Sequence, residues 1–134
     1  MAEIRTMLER RSTVLAGLTA AALGASQWTA PAAIARTPFD GIWSVLIITD
    51  AGTCDRAYRY AFHIVNGRIS YPDPAFDISG RVDAHGHVRV SVRAGEQHAS
   101  GTGRLSGDYG EGAWSGRSAT SQCSGHWQAE RRGD

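Results

Sequence analysis

The chain has 134 residues, with 14 arginines, no lysine, 13 acidic residues and two cysteines. Without the leader argued below, eleven arginines face eleven acidic residues, a balance that gives no electrostatic case for nucleic acid or an acidic surface. The remaining length suits one small domain with a single core.

The first 35 residues read as a signal peptide. Arg5, Arg10 and Arg11 precede the apolar run STVLAGLTAAALGA, which is too short to span a bilayer and has the length of a signal-peptide core. Ala33 and Ala35 then stand in an A-x-A arrangement, which puts cleavage after Ala35. The Arg10-Arg11 pair is a weak match to a twin-arginine signal, and the ordinary basic start of a general secretory one is the reading preferred. Residues 36–134 then form a periplasmic or secreted β domain. No later stretch is long enough to span a membrane as an apolar helix, so no membrane insertion is expected after cleavage.

Past the leader the pattern is period two, broken at short intervals by turn residues, as in an all-β sandwich or barrel. The run 41–49 is apolar on both faces. Residues 56–65 follow, with Tyr58, Tyr60, Phe62 and Ile64 on one face. Asn66-Gly67 is a two-residue hairpin signal. A short strand ends at Pro72 and Pro74, which cannot donate to a ladder. Residues 76–83 alternate, as do 88–94, where Val88, Val90 and Val92 oppose Arg89, Ser91 and Arg93. A glycine-rich sixth strand carries Ala99, Gly101 and Gly103, a seventh carries Gly112-Ala113-Trp114, and an eighth carries Gly125-His126-Trp127.

Short links make chain neighbours antiparallel, an up-and-down meander of about eight strands. One face is apolar and no helix is available to cover it. The sheet must therefore bury that face against itself, as a small closed or nearly closed barrel. In such a barrel the end of strand one lies beside the start of strand eight. Cys54 and Cys123 fall at those places, so a disulfide is expected across the seam. By loop entropy it stabilises the domain by about 4 kcal/mol, before any strain. At the other end of the seam, Trp43 lies near Arg131 and Arg132, placed to stack on its indole.

Gly41-Ile42-Trp43 on the first strand, with one of those arginines on the last, resembles the calycin pattern of lipocalins and avidins. That resemblance implies a barrel that binds a small apolar ligand. The G-x-W opening, the length and the single disulfide also resemble the small periplasmic inhibitors of bacterial metalloproteases. There an N-terminal arm inhibits the protease, and here it would be Arg36-Thr37-Pro38.

Candidate chemistry is sparse. Asp83, His85 and His87 sit within five residues, as metal ligands or as a solvated polar turn. A metal site needs a further ligand, which the sequence does not show, and the turn is the reading preferred. No G-x-S-x-G elbow and no acid–base pair is visible, so no enzyme and no cofactor is expected. Tyr58, Tyr60, Phe76, Trp114 and Trp127 either line a ligand cavity or fill the barrel. The glycines opposite the indoles favour a mostly filled interior. The domain is then a non-catalytic binding or interaction module. Its partner is a protein, recognised by the loops bearing Tyr71, Phe76 and Tyr109, or alternatively a small apolar ligand held inside.

Overall fold

A computed structural model describes residues 36–134, together with Gly17 and residues 24–26. Apart from those four positions, the expected signal peptide and its cleavage point lie outside the described residues. Eight strands follow in order: β1 (Gly41–Ala51), β2 (Ala57–Val65), β3 (Arg68–Ser70), β4 (Asp77–Val82), β5 (His87–Ala94), β6 (Gln97–Ser106), β7 (Tyr109–Arg117) and β8 (Gln122–Gly133). Each pairs antiparallel with the next, and β8 pairs with β1 to close the barrel. The expected all-β meander is the observed fold.

Local sequence explains the strand bounds. In β5 the valines turn inward and Arg89, Ser91 and Arg93 outward, as strand periodicity requires. Asn66 and Gly67 take positive φ values of 52° and 74°, the backbone of a tight hairpin whose twist matches its strands. β3 has only three residues, because Pro72 and Pro74 follow and lack the N–H groups that would extend the ladder.

The seam is stapled as expected. Cys54 and Cys123 form a disulfide with Cα atoms 6.1 Å apart, and the Cys54 amide donates a hydrogen bond to Cys123 Sγ at 3.1 Å. At the other end, Trp43 pairs with Arg131 beside a register shift in the β1–β8 ladder. The Arg131 guanidinium lies 5.0 Å from the centroid of the Trp43 ring, the expected cation–π stack.

The buried core is concentrated at that end. It comprises Phe39, Trp43, Ile64, Ile69, Val82, Val88, Leu105, Trp127 and Ala129. Trp43 is 1% exposed, and its indole N–H donates to the carbonyl of Phe39 at 2.9 Å. Phe39, from the segment ahead of β1, joins this core and helps to stop that end of the barrel.

Candidate functional site

Arg131 ties the closed end together. Its Nη1 donates to the Asp40 carbonyl at 2.7 Å, and its Nη2 to the carbonyls of Pro38 at 2.7 Å and Gly107 at 3.1 Å. Its Nε donates to Asp108 Oδ1 at 2.8 Å. One planar donor fork thus joins β8, the segment before β1 and the β6–β7 turn. Asp40 adds a second tie. It accepts from the Thr37 hydroxyl and from the amides of Asn66 and Gly67. Burial acts to raise its carboxyl pKa. These hydrogen bonds outweigh that and hold it below the ordinary value.

The repeated G-x-W triplets of β7 and β8 meet in antiparallel register. Gly112 pairs with Trp127, and Trp114 with Gly125. Each glycine therefore stands opposite the other strand's indole. A side chain at Gly112 would meet Trp127 Cε2 at 2.6 Å, and one at Gly125 would meet Trp114 Nε1 at 2.9 Å. A side chain at Gly103 would also strike Trp127. Each indole crosses the neighbouring strand over its glycine and donates to a carbonyl one strand further on. Trp127 Nε1 reaches Thr102 of β6 at 3.1 Å, and Trp114 Nε1 reaches Ile48 of β1 at 2.9 Å.

This geometry corrects the expectation of a mostly filled interior. The glycines do not draw opposite walls together. They let the indoles lie flat along one wall, and the tightest packing is at the end around Trp43. Beyond it the barrel holds a cavity of about 380 Å³ whose floor includes Trp43, Leu105 and Ala129, within the range of ligand pockets.

Five aromatic side chains from β2 to the start of β4 form one wall of this cavity: Tyr58, Tyr60, Phe62, Tyr71 and Phe76. Tyr60 and Tyr71 meet edge to face with centroids 5.8 Å apart, and Tyr71 and Phe76 do so at 5.5 Å. Small residues line β6 and β7, with Ala99 paired to Gly116 and Gly101 to Trp114. At the mouth, His98 pairs with Arg117 across β6 and β7, and both are exposed.

The structure brings the sequence candidates Tyr58, Tyr60, Phe76, Trp114 and Trp127 together around one cavity. It moves Tyr71 and Phe76 from expected loop anchors to the cavity wall, and puts Tyr109, 46% exposed, at the closed end beside Arg131's partner Asp108. His98 and Arg117 were not anticipated. They have the parity of the outer face and line the cavity only because the strands end there, which alternation alone does not reveal.

Asp83, His85 and His87 form a turn. Asp83 Oδ1 accepts from the amides of His85 and His87, each at 2.9 Å, and Oδ2 lies 3.0 Å from His87 Nδ1. The His87 amide foremost, then its imidazole and the His85 amide, hold the Asp83 carboxyl below its ordinary value despite some desolvation. Those contacts already occupy the carboxylate with the turn itself. No family model matches the chain, and no curated protein or solved structure is significantly similar to it.

Proposed function

We propose that this is an exported, non-catalytic binding protein that holds a small, predominantly apolar ligand in the open half of its barrel. The cavity of about 380 Å³, walled by aromatic and aliphatic side chains, carries this reading. Concave, mostly apolar sites with a few polar groups are where small ligands bind. The disulfide is compatible with an oxidising, exported environment. The calycin resemblance at Gly41, Trp43 and Arg131 points the same way. The inhibitor-like reading finds less support, because Thr37, Pro38 and Asp40 are engaged at the closed end rather than extending as an arm.

Titration with N-phenyl-1-naphthylamine, which fluoresces in apolar surroundings, tests the proposal. The expected result is saturable binding of one molecule per barrel, abolished by Ala99→Phe, which fills the cavity from its small-residue wall. Non-saturable binding, or binding that survives Ala99→Phe in a folded protein, contradicts it.

A further inference from the structure

The three tyrosines of the aromatic wall differ in how their hydroxyls are satisfied. Tyr58 Oη accepts from the Asp55 amide at 3.3 Å. The hydroxyls of Tyr60 and Tyr71 have no hydrogen-bond partner among the described residues. No buried side-chain polar atom among those residues is left unpaired, so these hydroxyls open onto space rather than being sealed in the wall. Both residues line the cavity, and their rings touch edge to face.

The wall constrains what these hydroxyls can receive. Burial pushes the Tyr60 phenol up from its ordinary pKa of 10.0, with Tyr58 and Tyr71 adding to the rise. Tyr60 is therefore a neutral donor at physiological pH. An anion would leave water for an apolar lumen whose donors on this wall are uncharged, which is costly. His98 and Arg117 stand on the opposite wall at the mouth, where both are exposed to solvent. A pure hydrocarbon would displace water from the two phenols and leave them without partners, which is also unfavourable.

We propose that the ligand is a neutral, mostly apolar molecule bearing one hydrogen-bonding oxygen, a ketone or an alcohol, received by the Tyr60 and Tyr71 hydroxyls. This rests on the cavity being the binding site. The phenols donate to a carbonyl, or exchange donor and acceptor roles with an alcohol. The aromatic rings around them hold the apolar body.

A matched pair of probes tests this: 2-acetylnaphthalene and 2-isopropylnaphthalene, similar in shape and differing in the oxygen. The quantity read by calorimetry is the ratio of their affinities, in the wild type, Tyr60→Phe, Tyr71→Phe and the exposed control Tyr109→Phe. Loss of a neutral hydrogen bond lowers the ketone-to-hydrocarbon ratio about five-fold in Tyr60→Phe. It falls in the same direction in Tyr71→Phe and stays put in Tyr109→Phe. If both probes bind and neither cavity variant changes the ratio, the polar anchor is wrong and the cavity reading stands. If neither probe binds the wild type, the cavity reading fails and this inference with it.

Discussion

The two ends of the barrel are built from the same eight strands, yet one is stopped and the other is open. At the closed end the strands converge on Trp43, and the polar side chains of Arg131 and Asp40 have structural duties. Arg131 spans three carbonyls and Asp108, while Asp40 fixes the β2–β3 turn. At the open end the same inward positions carry half-buried rings and small residues, and two phenols are left without protein partners. Stability and ligand binding in so small a barrel are thus divided between its two ends. A domain of this size has little stability to spare, and here one half of the interior supplies most of the packing.

The largest effect is expected at Trp43. Trp43→Ala removes the most buried side chain and its hydrogen bond to Phe39, and is expected to cost about 3–5 kcal/mol in denaturant unfolding. A variant of near wild-type stability would mean that the closed end is not the structural half. Replacing both Cys54 and Cys123 with alanine releases the open end of the seam. The expected loss is about 2–4 kcal/mol, measured against the wild type under non-reducing conditions, and the two proteins should differ far less in reductant.

Trp114→Ala sharpens the contrast. This indole is half-buried and lies against the wall, so its removal should cost about 1–2 kcal/mol, well below the Trp43 effect, while weakening naphthylamine binding. An equal loss at both tryptophans would erase the distinction between the halves.

The smallest effect concerns Asp40. Its folded pKa lies below the ordinary 3.8, so folding favours the anion. That contribution is complete above the ordinary value and is lost as pH falls through the lowered folded value. Asp40→Asn should cost about 1 kcal/mol at neutral pH. The gap from the wild type should narrow as the medium is acidified below the ordinary 3.8. A gap that widens on acidification would put the sign of this coupling in doubt.

Much of this frame was legible in the sequence. Alternation and turn signals located the strands after the doubly apolar first one, Asn66-Gly67 marked its turn, and the closure rule brought Cys54 to Cys123 and Trp43 to Arg131. The open cavity was not legible. Opposed glycines and indoles fit two arrangements, walls drawn together or rings laid flat, and only the pairing register of Gly112 with Trp127 and Trp114 with Gly125 decides between them. Alternation assigns a face but not a depth along the barrel. It therefore gave Phe39 no role in stopping one end, and His98 and Arg117 no place at the mouth of the other.

An apolar ligand in the open half should leave the packing behind the cavity floor, around Phe39 and the Arg131 ties, undisturbed. Backbone amide shifts recorded by NMR during titration with N-phenyl-1-naphthylamine test it most directly. Saturable shifts are expected at the cavity residues Tyr58, Tyr60, Phe76, Ala99 and Trp114, with Phe39, Val82 and Asp108 at the closed end unmoved. Shifts confined to the outer face of the barrel, or centred on Phe39 and Asp108, would contradict it.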